Sequence, residues 1–462
     1  MHIPKLFSKY DTNEGCFKLV ELDETQHKVI RSIVNEDPNE DLHLVTGPAG
    51  SGKSFFISAL KSFHNVSLTA TTARAAFLIN AITIDSLLLF NRTTNTFSSL
   101  ERLTDIMRSL PRDIILDEGP MLGARSFEPI YNLLRDYGKR LIIVGDFAQA
   151  PPVKDIWINN SPLWKPKVHK LSANHRQSKG EFLDILNKLR LGTADDEVDE
   201  FFTTKSFQPN GSLDDAIILY ASNAKAKKYN EARLAKLHGE AFTTKASIAS
   251  GTGAYLDLRT WEEDKIYADC GVAHKDRFAV GAKVILTKNN YEEGYINSDV
   301  GYIENIEAGP VKTNSLCKFG FDGEDREAIS FDIRLERNKS LVRITKIIQN
   351  IPGPDGEIKY IVKGFPLRLG WAVTIHKSQG GTFDRVHFDM QSLRGYLWAA
   401  RKSLEEDPNN TYTKEELDYE ARKALHGLVY VGTSRVTTAE GLSISGWDPK
   451  YVFCDPFVKD LL

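Results

Sequence analysis

The sequence has few cysteines, no long apolar run and almost no net charge. Its 462 residues contain four cysteines, Cys16, Cys270, Cys317 and Cys454, and no CxxC pair, which argues against a zinc ribbon, a redox dithiol and a disulfide framework. No stretch approaches the roughly 18 apolar residues that a membrane span needs, and the first residues lack the apolar core of a secretory signal. These absences predict a protein that does not associate with membranes. We expect it in the cytoplasm, or in the host cytoplasm if the source is a virus.

The charge is nearly balanced, with 59 Lys and Arg against 62 Asp and Glu and a net charge of −3. A uniformly basic coat for nucleic acid is therefore excluded. A local basic groove is not excluded, because net charge does not say where the charges lie. Hydrophobic residues make up 41% of the chain, which is ordinary for a folded protein, and the length suggests roughly three domains.

Short apolar strands alternate with helical stretches, a pattern that predicts an α/β fold with parallel sheets. The first series has predicted strands at 42–46, 66–70, 113–118 and 140–146, and a helix at 53–63. A second series starts near 171, with a predicted strand at 216–222 and a helix at 223–238, and the strand–helix pattern resumes at 368–380, 385–390 and 427–435.

Two segments interrupt the second series. Residues 281–363 contain short alternating stretches with Gly, Asn and Asp between them, which predicts a small inserted β-domain in the form of a barrel. Residues 391–426 predict two helices, and TKEE at 413–416 has the form of a capping box with Thr413 and Glu416.

A phosphate-binding loop is the strongest local signal. GPAGSGKS at 47–54 fits G-x-x-x-x-G-K-[ST] in full, after a predicted strand and before a predicted helix. Its backbone N–H groups and the helix start favour phosphate oxygens. Lys53 is expected to reach the β- and γ-phosphates, and Ser54 to hold Mg²⁺. The residues predicted to bind ATP here are Gly47, Pro48, Ala49, Gly50, Ser51, Gly52, Lys53 and Ser54.

An acidic pair follows the apolar run IILDE at 114–118. We expect the strand to deliver Asp117 to the metal, and Glu118 to orient or deprotonate the attacking water. Because a small-molecule kinase needs no glutamate to activate water, the pair favours hydrolysis of ATP.

Further segments resemble one helicase family in the order of its motifs. They are LDETQ (22–26), LTATTARAA (68–76), TIDS (83–86), VGDFAQAPPV (144–153), NHRQS (174–178), LGWAVTIHKSQGGTFDRV (369–386) and LVYVGTSRVTTAEGLSISG (428–446). Together with the phosphate loop, they resemble superfamily 1 helicases of the 5′→3′ Pif/RecD/Dda branch, closest in size to phage Dda-type accessory helicases. VGAKVILTKNNYEEGYINSDVGYI (280–303) looks like the SH3-like insertion of that branch.

The resemblance implies two RecA-like P-loop NTPase domains, with a small β-hairpin insertion in the first and an SH3-like β-barrel insertion in the second. The implied boundaries are 1–170 for the first domain with its hairpin at about 87–112, 171–280 and 364–462 for the second domain with its helical insertion at 391–426, and 281–363 for the β-barrel.

The resemblance also implies an ATP site shared between the two domains. Gln26 would contact adenine, and Gln149 would sense the γ-phosphate. Arg176 and Arg435 would reach the phosphates, with Arg435 acting as an arginine finger from the second domain.

Contacts with DNA are implied on both domains. The candidates are Thr69, Thr71 and Arg74 in the first domain and His376, Lys377 and Ser378 in the second. His376 could instead be a structural histidine. Phe90 and Phe97 either stack on the last base pair as a wedge or fill a small core beneath the hairpin.

The implied function is that of an ATP- and Mg²⁺-dependent DNA helicase in replication, repair or recombination. It would work as a monomer on single-stranded DNA and DNA forks, with single-strand-binding or replication proteins as further partners. The alternative is a single-stranded-DNA-dependent ATPase that remodels protein–DNA complexes without processive unwinding. The chain departs from the family pattern at Gly119 and Pro120 after the acidic pair, at Asp85 in TIDS, and at INSD (296–299).

Overall fold

The structure is a computed structural model. It describes residues 5–11, 16–35, 40–72, 75–76, 79, 81–92, 94–152, 155–171, 180–204, 213–252, 256, 258–288, 290, 292–295, 299–310, 326–352, 358–379, 381–408 and 410–461. Two predicted site residues, Arg74 and Arg176, lie outside the described residues. The chain divides into two compact units, one formed by residues 1–222 with 374–462 and the other by Asn223–Val373.

The first lobe of the larger unit is built on a wholly parallel six-stranded sheet. In spatial order its strands are Lys167–Lys170, Leu42–Thr46, Arg140–Gly145, Asp113–Asp117, Val66–Ala70 and Ile82–Thr83. Three neighbouring strands in the middle are buried along their whole length, as their continuous apolar sequence requires. The carboxyl ends of these strands therefore meet at one edge of the sheet.

Helices cover this sheet and bury their apolar faces on it. They are Glu24–Val34, Lys53–Phe63, Ile84–Leu87, Leu100–Ser109 and Ala124–Asp136. Ile30 and Phe56 belong to the same fully buried core cluster as Ile115 and Ile142 of the sheet. Two antiparallel pairs complete the lobe, Leu6–Asp11 with Cys16–Glu21, and the predicted hairpin Phe90–Asn91 with Thr96–Phe97.

The second lobe of the same unit contains a second parallel sheet. Its strands are Ile217–Tyr220, Val386–Asp389 and Leu442–Ser445 in that spatial order, and the short strand Ala372–Thr374 lies at the boundary between the units. The helices are Glu181–Arg190, Asp196–Thr204, Ile375–Ser378, Gln391–Glu405, Lys414–Lys423, Leu428–Thr433 and Pro456–Leu461. The predicted helical pair in 391–426 is present, with its capping box of Thr413 and Glu416.

One predicted strand is wrong. The apolar run before TSR in 427–435 predicts a strand, but Leu428–Thr433 is a helix and every residue in it is buried. Periodicity cannot separate a short strand from a short helix when all sides are buried. The surrounding packing decides between them.

The smaller unit is mainly β-structure. One sheet orders Lys275–Phe278, Phe242–Lys245, Arg326–Leu335, Val300–Pro310, Lys283–Leu286 and Leu367–Leu369, with Leu341–Thr345 paired to Arg326–Leu335. A three-stranded sheet contains Ser247–Ser250, Ile358–Gly364 and Ile347–Pro352. The helices of this unit are Asn223–Leu234 and Thr260–Asp269.

This unit is larger than the insertion predicted at 281–363. Strands from 242–278 pair with strands of the insertion, as Thr243 does with Glu327 and Ser247 with Lys363. Such long-range pairing leaves no local signal in the sequence. Within the described part of the whole chain, no helix is long and apolar enough to cross a membrane.

Candidate nucleotide-binding site

The phosphate loop joins a buried strand to a helix, as predicted. It leaves the strand Leu42–Thr46 and enters the helix Lys53–Phe63. Gly50 and Gly52 have φ values of 84° and 78°, a left-handed conformation that glycine adopts without a Cβ penalty. The first N–H groups of a helix have no partner within it. The loop therefore presents backbone donors to an anion.

The side chain of Lys53 folds back onto the phosphate loop. Its Nζ donates to the carbonyl oxygens of Gly47 at 2.8 Å and Pro48 at 2.9 Å. Burial lowers the pKa of Lys53, while the nearby charges of Asp146 and Glu118 oppose that shift. Lys53 therefore lies close enough to the carboxylates at this edge of the sheet to interact with them electrostatically.

The acidic pair lies at the carboxyl end of the neighbouring strand Asp113–Asp117. Burial, followed by the charge of Glu118, raises the pKa of Asp117 to about 7, although Lys53 opposes the shift. Glu118 has φ 50° and ψ 34°, a left-handed conformation that costs a non-glycine residue energy and is typical of functional sites. Its N–H donates to Asp117 Oδ1 at 2.9 Å.

Thr71 holds this strained turn in place. Its N–H donates to the carbonyl of Asp117 at 3.0 Å, and its Oγ1 donates to the carbonyl of Glu118 at 2.8 Å. The side chain is only 5% exposed. The sequence predicted a DNA contact for Thr71, whereas the structure gives it a role in supporting Glu118. Pairing of the strands Val66–Ala70 and Asp113–Asp117 creates this contact.

Packing explains why Gly119 and Pro120, which depart from the family pattern, follow the acidic pair. A Cβ on Gly119 would lie 2.3 Å from Cγ2 of Ile143, and a Cβ on Gly145 would lie 2.2 Å from Cδ of Pro120. Gly119 and Pro120 therefore pack directly on the strand Arg140–Gly145. Only a residue without a side chain fits at position 119 in this arrangement.

We expect Gly119→Ala to lower kcat for ATP hydrolysis by about 100-fold, because a displacement of about 1 Å at a catalytic group can cost that much. The free energy of unfolding should fall by about 1–3 kcal/mol, as is usual for overpacking. Steady-state ATPase assays and thermal unfolding measure both effects.

Two further variants make this test specific. Ile143→Ala added to Gly119→Ala removes the obstructing methyl group and should restore much of kcat. Gly395→Ala is the matched control, because a Cβ there meets nothing within 4 Å. Wild-type kcat in Gly119→Ala would show that the contact with Ile143 does not position Glu118.

Several buried polar atoms of predicted ATP-site residues and of residues in or next to the phosphate loop have no hydrogen-bond partner among the described residues. They are Nε2 of Gln26, Oγ1 of Thr46, Oγ of Ser51 and Oε1 of Gln149. Buried polar atoms are normally satisfied, so unpaired ones beside a phosphate loop fit a bound ligand. Gln26 also completes a capping box with Asp23 at the start of the helix Glu24–Val34, which fixes its position.

The second lobe reaches this site through the helix Leu428–Thr433. The hydroxyl of Tyr430 accepts the N–H of Ala49 in the phosphate loop at 2.8 Å. The phosphate loop is therefore in direct contact with the segment that resembles motif VI. Neither the contact nor the residue was predicted from the sequence.

Arg435 lies just after that helix and is 1% exposed. Its guanidinium donates to the carbonyls of Val431 at 2.7 Å and Gly381 at 3.1 Å, and to Oγ of Ser434 at 2.8 Å. The predicted contact with phosphates stays a prediction, since it requires these bonds to be exchanged.

Comparisons with known proteins agree with this geometry. A family model described as an AAA domain matches residues 21–207. ATP-dependent DNA helicase Pif1 of Bdellovibrio bacteriovorus is 27% identical over 439 residues, covering 90% of this chain and 86% of that protein. The crystal structure of Pif1 helicase from Candida albicans superposes with a TM-score of 0.69 at 21% identity, covering 96% of this chain and 98% of that one. A Bacteroides Pif1 structure in complex with ADP-AlF3 and ssDNA gives 0.65 at 22% identity, covering 96% of each chain.

Over most of its length the chain is similar to Pif1 helicases of superfamily 1. The resemblance inferred from the motifs is thereby confirmed, and so is the predicted fold of two RecA-like domains with an SH3-like β-insertion.

Besides Thr71, three of the DNA-contact candidates have buried side chains. Thr69 is fully buried and donates to the carbonyl of Ile115 at 2.7 Å. Ser378 is fully buried and donates to the carbonyl of Ile375 at 2.7 Å. Phe90 is buried with its ring 5.1 Å from that of Phe97. Burial argues against direct contact of these three side chains with DNA, and for Phe90 it agrees with the alternative of a small core beneath the hairpin.

Three further candidates, Lys377, His376 and Phe97, are more accessible. Lys377 is exposed, His376 and Phe97 are half-buried, and burial lowers the pKa of His376. Phe97 is therefore the wedge candidate that the structure leaves open. Asp85, which stands where the family has histidine, pairs with Arg92 of the hairpin at 2.8 Å.

Proposed function

We propose that this protein is an ATP-dependent DNA helicase that moves 5′→3′ on single-stranded DNA and unwinds duplex DNA. The observation that carries the proposal is the hydrogen bond from Ala49 to Tyr430, because it makes the nucleotide site a joint structure of two lobes. In such a site, closure and opening of the cleft become coupled to the state of the nucleotide. The relatives' names and the ligands in the Bacteroides structure support the same activity.

In the proposed hydrolysis, Lys53 and the loop N–H groups bind the phosphates, and Gln26 binds the adenine. Glu118 orients or deprotonates the water that attacks the γ-phosphorus, and Gln149 contacts the γ-phosphate. Arg435 would leave its carbonyl partners to stabilise charge on the transferred group.

Magnesium fits the oxygen donors at the site. Mg²⁺ takes one or two protein ligands besides phosphate oxygens and water, and Ser54 and Asp117 supply a hydroxyl and a carboxylate. The described residues contain no cluster of three or more His, Cys, Asp or Glu side chains that could hold a metal alone. When bound, the cation would neutralise phosphate charge and keep Asp117 ionised.

On the DNA side, we propose that Lys377 and His376 contact the strand from the second lobe, and that Phe97 stacks at the fork. Lysine and other polar side chains position phosphates without reading sequence, and an aromatic ring can stack on any base. Replication, repair or recombination, a monomeric state, single-strand-binding partners and a cytoplasmic location remain proposals from family resemblance.

The function is tested by ATPase assays with and without single-stranded DNA, and by unwinding of 5′-tailed, 3′-tailed and blunt duplexes. We expect strong stimulation by single-stranded DNA and unwinding of the 5′-tailed substrate. Stimulation without unwinding of any substrate would favour the remodelling ATPase. Equal unwinding of both tails would overturn only the polarity, and an ATPase indifferent to single strands would overturn the helicase function.

A further inference from the structure

A buried hydrogen-bond network joins the phosphate loop to the second lobe. The hydroxyl of Tyr430 accepts the N–H of Ala49 at 2.8 Å and donates to Oδ2 of Asp146 at 3.2 Å. Arg190 donates to Oδ1 of the same carboxylate from Nε at 3.1 Å and from Nη2 at 2.9 Å. Tyr430 and Asp146 are 3% and 1% exposed, so water does not compete for these bonds.

The direction of each bond follows from the protonation states. Burial raises the pKa of the Tyr430 hydroxyl above its ordinary value, which keeps the proton available for Asp146. Burial alone would raise the pKa of Asp146, but the charges of Arg190 and Lys53 hold it below its ordinary value. Asp146 is therefore an ionised acceptor, and Arg190 neutralises a carboxylate that would otherwise repel a triphosphate.

The same carboxylate shapes the turn that carries Gln149. Asp146 follows the strand Arg140–Gly145, its Oδ1 accepts the N–H of Ala148 at 3.2 Å, and its carbonyl accepts the N–H of Gln149 at 3.1 Å. The network thus fixes the phosphate loop and the Gln149 turn of the first lobe against two helices of the second lobe, Glu181–Arg190 and Leu428–Thr433.

A second hydrogen-bonded contact connects the start of the helix Leu428–Thr433 to the turn that follows the strand Arg140–Gly145. The N–H of Asp455 donates to Nδ1 of His426 at 2.8 Å, so the proton lies on Nε2, which donates to the carbonyl of Phe147 at 2.8 Å. His426 is fully buried. The His426 bond fixes the start of the helix, whereas Tyr430 contacts the phosphate loop. A substitution at Tyr430 can therefore remove the contact with the loop and leave the helix in place.

We propose that Tyr430, held by Asp146 and Arg190, is a positioning residue for ATP hydrolysis. Its hydroxyl sets the conformation of the phosphate loop at Ala49 when the second lobe is in place. It therefore ties hydrolysis, rather than nucleotide binding, to the contact between the lobes. This inference rests on the proposed ATPase function.

The decisive variant is Tyr430→Phe, which removes one oxygen and keeps the ring. We expect kcat of the DNA-stimulated ATPase to fall about five- to tenfold, the effect of one lost hydrogen bond. KM for ATP should stay within about twofold, since the lost contact is not to the ground-state nucleotide. Hydrogen exchange of a peptide spanning 47–54 should become faster, because the Ala49 amide loses its acceptor.

Tyr131→Phe is the matched control. Tyr131 is also a buried tyrosine, and its hydroxyl donates to Oδ1 of Asp41 at 2.6 Å, within the first lobe. Both variants lose one phenol–carboxylate bond and should lower Tm by similar amounts. Only Tyr430→Phe should change kcat and exchange in the phosphate loop.

Arg190→Lys provides a second route to the same network. It keeps the positive charge and removes the two-pronged contact with Asp146. We expect a fall in kcat similar to that of Tyr430→Phe, and a double variant little worse than either single one, because both act through one network.

The outcomes separate the inference from the proposed function. A wild-type protein without ATPase activity would overturn the proposed function and this inference with it. An active wild type with unchanged kcat in Tyr430→Phe would overturn the inference alone. So would an effect on KM without one on kcat, or an equal loss of kcat in Tyr131→Phe.

Discussion

Glu118→Gln is expected to lower kcat for ATP hydrolysis by about 10²- to 10⁴-fold, the usual contribution of a general base. The amide has nearly the same shape, so the left-handed turn and its bonds from Thr71 and to Asp117 can persist. ATP binding should be retained, because Lys53 and the phosphate loop are unchanged. Single-turnover hydrolysis and equilibrium binding of a fluorescent ATP analogue measure the two quantities.

The same substitution also tests the electrostatics of the pair. The charge of Glu118 contributes to the raised pKa of Asp117, and its removal should bring that pKa back toward its ordinary value. Glu128→Gln, on the helix Ala124–Asp136, serves as the control and should leave kcat unchanged. A Glu118→Gln protein with near wild-type kcat would exclude Glu118 as the base.

Lys53→Ala is expected to weaken ATP binding by about 100-fold, in line with the loss of charge-assisted hydrogen bonds to the phosphates. The structure adds a second reason. The Lys53 ammonium offsets the charges of Glu118 and Asp117, and without it these carboxylates repel the triphosphate. Binding of the same fluorescent analogue, with and without Mg²⁺, measures the effect.

The control for this variant is Lys61→Ala, which removes an exposed lysine from the last turn of the same helix. It should bind ATP as the wild type does. If Lys53→Ala also kept wild-type affinity, the loop could not be the principal phosphate site.

The local chemistry of the nucleotide site was predictable from the sequence. The phosphate loop and the acidic pair are contiguous motifs whose function depends on residues next to each other, and both occupy the strand ends where they were expected. The DNA-contact residues were less predictable. Thr69 and Ser378 are short polar residues in recognised motifs, but sheet and helix packing turns both hydroxyls toward backbone carbonyls.

The sequence by itself predicted the phosphate loop, the acidic pair and the resemblance to a helicase family, because each depends on short motifs and their succession along the chain. Only the tertiary structure decided that 427–435 contains a helix, that Gly119 must lack a side chain against Ile143, and that Tyr430 meets Ala49 across 381 residues of sequence. The physical reason is the same in each case. The partner comes from a distant part of the chain, and only packing brings the two groups together.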